Sequence, residues 1–121
     1  MPKKILIVDD DAGICNSLAI LLRGEGYCVD EVTDSGAAAL LIKKDKYDLC
    51  LFDYKMKGLS GIDLLNMTKE INPQSAVFII SGMLDLEELC AKERNAGLIA
   101  AVISKPFDVE TLLQRIAAAV K

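Results

Sequence analysis

Histidine and tryptophan are absent from this chain, and aromatic residues make up only 5% of it. Without histidine, the chain lacks the commonest metal ligand and general base of proteins. The four cysteines, Cys15, Cys28, Cys50 and Cys90, lie far apart and form no CxxC pair. This spacing argues against a zinc site or a thiol redox motif. Cys15, Cys50 and Cys90 fall within apolar patterns, so we expect small buried side chains, which a reducing cytoplasm allows.

Long apolar runs are missing too. Lys3-Lys4 precedes four apolar residues, but Asp9-Asp10-Asp11 ends that stretch well short of a signal-peptide core or a membrane span. The net charge of −4 and the isoelectric point near 4.8 argue against a direct, sequence-independent grip on nucleic acid or on an anionic membrane. We therefore expect a cytoplasmic chain that reaches such partners through another protein.

Short apolar strand patterns alternate five times with helical patterns along the 121 residues. The helical patterns cover residues 12–24, 36–45, 62–71 and 86–95, and a last one follows Asp108, a predicted N-cap. Strands separated by helices are parallel with right-handed crossovers, and the acidic second strand, Cys28 to Val32, suits an edge. The pattern predicts a flavodoxin-like (βα)5 fold. It is one α/β domain over residues 1–121, with a doubly wound parallel five-stranded sheet in the order 2-1-3-4-5.

Four of the predicted strands end on residues that can take part in phosphate chemistry. Asp9-Asp10-Asp11 follows the first strand, Asp53 the third, Ser81 the fourth and Ser104-Lys105 the fifth. Ligand sites of open α/β sheets lie at the carboxyl ends of the strands, which share one edge. The sequence therefore predicts a site at this edge as well as a fold.

The predicted strand order makes the first and third strands neighbours and brings Asp9, Asp10 and Asp53 close together. Three crowded carboxylates repel one another unless a cation or protons offset them. An all-oxygen ligand set favours Mg²⁺ or Mn²⁺ over zinc or copper. Ser81 and Lys105 would approach the same point, which predicts a cradle for a phosphoryl group with a carboxylate as nucleophile.

Each of these residues also has a simpler explanation. Asp10 or Asp11 could cap the first helix, and Ser81 could begin the loop that follows its strand. For Asp11 and Ser81, each considered alone, the simpler explanation is the favoured one. Asp9 and Asp53 fit them less well, because an acid that directly continues a buried strand is costly to desolvate.

The chain resembles the receiver domain of two-component response regulators over essentially its whole length. The matching motifs are Ile7-Val8-Asp9-Asp10-Asp11, Asp48-Leu49 leading to Asp53 with Met56 and Gly61 beyond it, Ile80-Ser81-Gly82, and Lys105-Pro106-Phe107.

The resemblance implies a role for each site residue. Asp53 is the expected phosphoacceptor, and Ser81 and Lys105 are expected to contact the phosphoryl oxygens. The expected Mg²⁺ ligands are the carboxylates of Asp9, Asp10 and Asp53 and the backbone carbonyl of Lys55. A cis peptide between Lys105 and Pro106 is also implied.

The resemblance further implies a signalling module and not an enzyme. A sensor histidine kinase or a phosphotransfer protein would donate the phosphoryl group to Asp53, and the domain would change its partner surface in response. That surface would include a homodimer face formed by the fourth helix, the fifth strand and the fifth helix.

Two departures from the family pattern bear on dynamics. Lys57 stands where receivers usually have a proline, which predicts a more mobile loop after Asp53. Val102 stands where receivers usually carry Tyr, Phe or His, and it is short and stiff. We therefore predict that switching relies on Ser81 and on the loop containing Met83 and Leu84.

Two alternatives stay open from the sequence. A phosphatase or phosphotransferase of the haloacid dehalogenase type also uses an aspartate nucleophile, and Asp9 with Asp11 gives the required Asp-x-Asp. No cap domain fits in this length. A degenerate receiver that serves only as a binding module is the second alternative, which the intact acid set disfavours.

Overall fold

A computed structural model describes residues 2–83 and 86–121, so Leu84 lies outside the described residues. Five parallel strands form one sheet in the order β2-β1-β3-β4-β5. The strands are β1 (Lys4–Val8), β2 (Cys28–Val32), β3 (Leu49–Asp53), β4 (Ala76–Ser81) and β5 (Ala101–Ser104). The helices are α1 (Ala12–Gly24), α2 (Ser35–Lys44), α3 (Gly61–Ile71), α4 (Leu86–Leu89), α5 (Ala91–Asn95) and α6 (Val109–Ala119). The predicted single-domain, flavodoxin-like architecture is confirmed.

The position of each strand in the sheet follows from its side chains. β3 lies between β1 and β4, and all five of its residues are buried. Its first four residues, Leu49 to Phe52, form a continuous apolar run, which is typical of a parallel strand that is covered on both faces. β2 pairs only with β1, and its Asp30 and Glu31 are partly exposed. The prediction of an edge strand is therefore confirmed.

Alternation along the strands divides the core into two layers, because successive side chains point to opposite faces of the sheet. Ile5 and Ile7 of β1 lie in the layer that contains α1 and α6, whereas Leu6 and Val8 lie in the layer that contains α2, α3 and α4. The helices thus cover both faces and hold the strands in place. The carboxyl ends of β1, β3, β4 and β5 meet at one edge.

Polar side chains fix where the helices begin. Asp11 caps α1 by accepting hydrogen bonds from two first-turn amides, and Asp34 caps α2 by accepting one from the Ala37 amide. Ser60 and Asp63 form a reciprocal capping box at the start of α3. Asp108 accepts a 3.0 Å hydrogen bond from the Thr111 amide, so the predicted cap of the last helix is confirmed.

The prediction of one continuous fourth helix over residues 86–95 is wrong. Cys90 has a non-helical backbone (φ −100°, ψ 3°) and separates α4 from α5. Leu86 and Cys90 are fully buried, but α5 contains no buried residue. Because packing of an apolar face stabilises most helices, the polar turn beyond Cys90 lacks the contacts that would keep it in line. The predicted fifth helix is consequently α6.

The cysteines match the prediction in part. Cys15, Cys50 and Cys90 are buried free thiols, as expected, although Cys90 lies between two helices and not within one. Cys28 is an exposed free thiol at the start of β2. Among the described residues, no helix combines the length and the apolar character needed to cross a bilayer.

Candidate functional site

The carboxyl ends of β1 and β3 bring three acidic side chains together. Val8 is aligned with Phe52 in the parallel register, so the next residues, Asp9 and Asp53, emerge side by side. One carboxylate oxygen from each of Asp9, Asp10 and Asp53 lies within 4.8 Å of the other two. Asp9 and Asp53 are only 4% and 8% exposed, whereas Asp10 is open to solvent. The structure therefore brings together the three acids that the sequence singled out.

Lys105 reaches this acidic group from the end of β5. Its Nζ donates a 2.8 Å hydrogen bond to Asp9 Oδ2 and lies 3.8 Å from Asp53 Oδ2. The backbone N–H of Lys105 donates to the Ser81 carbonyl at 2.8 Å, which extends the pairing of β4 with β5. The peptide bond between Lys105 and Pro106 is cis, as the resemblance implied.

Burial and charge change the proton affinity of both partners. Burial, followed by the charge of Asp9, raises the pKa of Asp53 from 3.8 to about 6, and Lys105 only partly offsets this rise. Burial lowers the pKa of Lys105, but the hydrogen bond to Asp9 and the charge of Asp53 outweigh it, so the net pKa is raised. Asp53 is thus a carboxylate whose charge is poorly compensated, and Lys105 is a firmly protonated cation.

Ser81 and Asp11 have local contacts of the kind that the simpler explanations predicted. Ser81 is buried at the end of β4, and its Oγ accepts a 3.2 Å hydrogen bond from the Met83 amide. Asp11 Oδ1 accepts hydrogen bonds from the first-turn amides of α1. Its own amide donates to Asp9 Oδ1 at 2.9 Å, which orients that carboxylate.

The loop over residues 54–60 connects Asp53 to α3 and contains Lys55. At its two ends, the Tyr54 amide donates to the Ile80 carbonyl at 2.9 Å and the Gly61 amide donates to the Tyr54 carbonyl at 3.0 Å. A Cβ at Gly61 would overlap the Asp53 carbonyl oxygen, so glycine is required at this close approach.

Ser35, at the start of α2, contacts the middle of the same loop. Its Oγ donates to the Lys57 carbonyl at 2.9 Å and accepts from the Leu59 amide at 3.0 Å. The sequence analysis did not single out this serine. Its position beside the N-cap Asp34 gives no signal for partners 22 and 24 residues away.

The residues present suit a divalent cation with a preference for oxygen. Three carboxylates face one ammonium group, so the cluster formed by Asp9, Asp10, Asp53 and Lys105 carries a formal charge of −2 when all are ionised. The raised pKa of Asp53 is a consequence of this excess charge and of burial. Carboxylate and carbonyl oxygens are the ligands that Mg²⁺ prefers.

The fold and the acidic cluster define an α/β domain with a polar site at the switch point of its sheet. The family description "Response regulator receiver domain" matches residues 5–117. The chain therefore belongs to the response regulator receiver domain family of two-component systems.

Curated relatives support this assignment. The chain is 30% identical over 118 residues to the DNA-binding response regulator MtrA of Mycobacterium tuberculosis strain H37Rv, covering 98% of this chain and 50% of MtrA. It is 31% identical over 112 residues to sporulation initiation phosphotransferase F of Bacillus subtilis, covering 93% of this chain and 89% of that protein. This chain thus spans about half the length of MtrA but most of the smaller relative.

Solved structures agree with the fold. A CheY-like response regulator receiver domain protein from Methanospirillum hungatei superposes with a TM-score of 0.90 at 32% identity, covering 99% of this chain and 94% of the other. The BeF3-activated DrrB receiver domain superposes with a TM-score of 0.87 at 26% identity, covering 99% and 98%.

Proposed function

We propose that Asp53 accepts a phosphoryl group from a phosphorylated histidine on another protein, and that this domain is a phosphorylation-dependent switch. The observation that carries the proposal is the convergence of buried Asp53 with Asp9, Asp10 and Lys105 at the carboxyl edge of the sheet. Receiver domains interact with histidine kinases or phosphotransfer proteins, so the donor class follows from the family.

The residues that would hold a metal ion are the carboxylates of Asp9, Asp10 and Asp53 and the backbone carbonyl of Lys55. Mg²⁺, or Mn²⁺ in its place, would offset the repulsion between these carboxylates and the oxygens of an incoming phosphoryl group. Lys105 would supply a fixed positive charge beside Asp53, because its Nζ is 3.8 Å from Asp53 Oδ2 and is held by Asp9.

The transfer is a displacement at phosphorus. A carboxylate oxygen of Asp53 forms the new P–O bond while the P–N bond to the donor histidine breaks, and the electron pair of that bond stays on the imidazole nitrogen. The attacking oxygen must be ionised, and the pKa of about 6 leaves Asp53 mostly charged at neutral pH. Ser81 and Lys105 would then donate hydrogen bonds to the phosphoryl oxygens.

The output is a change of partner surface and not the turnover of a substrate. A second copy of the chain is the proposed partner at the face formed by α4, α5, β5 and α6. A groove on this face is lined by Arg94 and Arg115 and by the small residues Ala100, Ala101, Ala118 and Ala119. The net charge of −4 argues against a direct, sequence-independent grip of this domain on nucleic acid.

The haloacid dehalogenase alternative requires Asp11 as a general acid beside an Asp9 nucleophile. Asp11 Oδ1 instead accepts the amides of Gly13 and Ile14 as the cap of α1, and Asp9 is paired with Lys105. These contacts favour the switch. The labelling experiment below distinguishes the switch from a binding module that is not phosphorylated.

The test is phosphorylation with acetyl phosphate and Mg²⁺, followed by intact mass measurement. We expect one added phosphate on the wild-type chain, none on Asp53→Asn and none when EDTA removes the metal. Asp48→Asn is the matched control, since Asp48 is exposed just before the other end of β3, and it should label like the wild type.

Four results would contradict the proposal. Labelling that persists in Asp53→Asn excludes Asp53 as the acceptor, and labelling that persists in EDTA excludes the metal role. Catalytic turnover of a phosphate ester would favour the phosphatase alternative, whereas absence of labelling in the wild type would favour a binding module.

A further inference from the structure

Ser35 contacts the loop after Asp53 with both hydrogen-bonding functions of its hydroxyl. The residue is only 4% exposed, and its Oγ donates to the Lys57 carbonyl and accepts from the Leu59 amide. A buried hydroxyl without partners would cost free energy, so these bonds are needed by Ser35 as well as by the loop. The contact joins α2 to the segment that contains Lys55.

The side chains of Met56 and Leu59 pack against the apolar core, but the hydrogen bonds that fix the backbone in the middle of the loop come from Ser35. The bonds from Tyr54 to Ile80 and from Gly61 to Tyr54 hold only its ends. Lys57 has no ring to restrict its φ angle, unlike the proline that usually stands there. Within the described residues, Ser35 makes two hydrogen bonds to this segment, one to the Lys57 carbonyl and one from the Leu59 amide.

Gly58 lets the hydroxyl approach the loop backbone. Its φ of +80° lies in the left-handed region, and a Cβ there would lie 2.9 Å from Ser35 Oγ. The contact therefore depends on a bare backbone at residue 58 as well as on the serine. Substitution on either side of the contact should disturb the same loop.

We propose that Ser35 is a positioning residue that orients the Lys55 backbone carbonyl for Mg²⁺. The inference rests on the proposed function, which assigns that carbonyl to the metal. Residue 57 is only two positions beyond Lys55, so a hydrogen bond to its carbonyl restricts the backbone rotations that aim the Lys55 carbonyl. Mg²⁺ demands near-ideal ligand geometry, so a loop that is already ordered binds it more tightly.

The test compares Ser35→Ala with Ser75→Ala in metal-free protein. Ser75 is a matched control, because it is also a buried serine, is 1% exposed, and lies just before β4 at the opposite end of the sheet. Titration with Mg²⁺ alone, followed by amide chemical shifts, gives each dissociation constant. We expect Ser35→Ala to weaken Mg²⁺ binding about three- to tenfold, the effect of losing about one net hydrogen bond of ordering.

Two further variants separate positioning from general destabilisation. Ser35→Thr keeps the hydroxyl and should restore Mg²⁺ affinity to near the wild-type value. Gly58→Ala changes the same contact from the loop side and should weaken Mg²⁺ binding, as Ser35→Ala does.

A labelling experiment gives a second readout for Ser35→Ala. Its labelling by acetyl phosphate should need more Mg²⁺ but approach the wild-type rate when Mg²⁺ is saturating.

The outcomes distinguish this role from the proposed function. No Mg²⁺ binding by the wild type overturns both the proposed metal site and the role of Ser35. Normal wild-type binding with unchanged affinity in Ser35→Ala overturns the role of Ser35 alone. An equal loss in Ser75→Ala, or a folded Ser35→Thr that binds as weakly as Ser35→Ala, also overturns it.

Discussion

At the scale of single residues, the site is defined by an imbalance of charge around Asp53. The nearest cation, Lys105, makes its short hydrogen bond with Asp9 and stands 3.8 Å from Asp53. Asp53 is thus buried with less compensation than Asp9, and its pKa is raised. This uncompensated burial of charge is costly in the metal-free protein, and it fits the proposed role of Asp53 in binding a metal ion and a phosphoryl group.

This imbalance predicts that Asp53→Asn stabilises the metal-free protein. The folded pKa of about 6 exceeds the ordinary 3.8, so the folded state binds more protons between these values and stability falls as pH rises through this window. We expect the free energy of unfolding at neutral pH to increase by about 1–2 kcal/mol, after allowance for solvent screening. The gain should shrink as pH falls toward 4, because Asp53 is then mostly protonated in the folded protein and no longer buries a charge.

Urea denaturation in EDTA at several pH values measures this effect. Glu70→Gln is the control, because Glu70 is exposed on α3, and its substitution should leave stability unchanged. A less stable Asp53→Asn at neutral pH, or a difference that does not vary with pH, would contradict the charge argument.

At the scale of elements, the short helices α4 and α5 are weakly anchored. Leu86 and Cys90 pack into the core, but α5 buries nothing and α4 is one short turn. Val102 of β5 lies in the same apolar cluster and is 7% exposed. A short β-branched side chain at this position has little room or freedom to rotate. We therefore expect Ser81 at the end of β4, and not Val102, to respond to phosphorylation of Asp53.

We predict that activation changes amide hydrogen exchange mainly over residues 81–90. Beryllium fluoride with Mg²⁺ stands in for the phosphoryl group on Asp53, and Ser81 would exchange its contact with the Met83 amide for one with that group. The movement would propagate into α4 through Leu86. Exchange in β5 around Val102 should change little, and Asp53→Asn treated in the same way is the control. A response confined to β5, or one that stays at Asp53, would refute this route.

At the scale of the whole molecule, the β5 edge of the sheet carries a face that is separate from the acidic site. Arg94 and Arg115 border a groove whose other residues are mostly alanines, so a second copy can approach closely. The opposite edge of the sheet ends in β2 with its partly exposed acids. The two edges therefore differ in charge and in side-chain size.

We predict that beryllium fluoride and Mg²⁺ shift the chain from 13.1 kDa toward twice that mass in a sedimentation concentration series. Arg115→Glu should weaken this association, because it reverses the charge of a side chain that borders the proposed contact. Lys43→Glu makes the same change in charge on α2, which contacts α3 and β2 away from this face, and should associate normally. A monomer under all conditions, or equal loss in both variants, would contradict the dimer face.

Much of the fold was predictable from the sequence because its signals are local. Runs such as Leu49 to Phe52 are apolar throughout and indicate buried parallel strands. Alternation of strands and helices, together with an acidic second strand, was enough to give the strand order. The split at Cys90 was not predictable, since the sequence continues in helix-compatible residues and only packing on the sheet shows where the buried face ends.

The site divides in the same way. That Asp9, Asp10, Asp53 and Lys105 would gather was determined by the sequence, because the carboxyl ends of parallel strands share an edge. Which partner Lys105 bonds was decided by the tertiary structure, across 96 positions of chain. The contact of Ser35 with the loop after Asp53 was decided there too, since hydrogen bonds form only at distances near 3 Å, and packing of α2 against the sheet sets that distance. Patterns along the chain establish which residues meet, but only close packing fixes which atoms do.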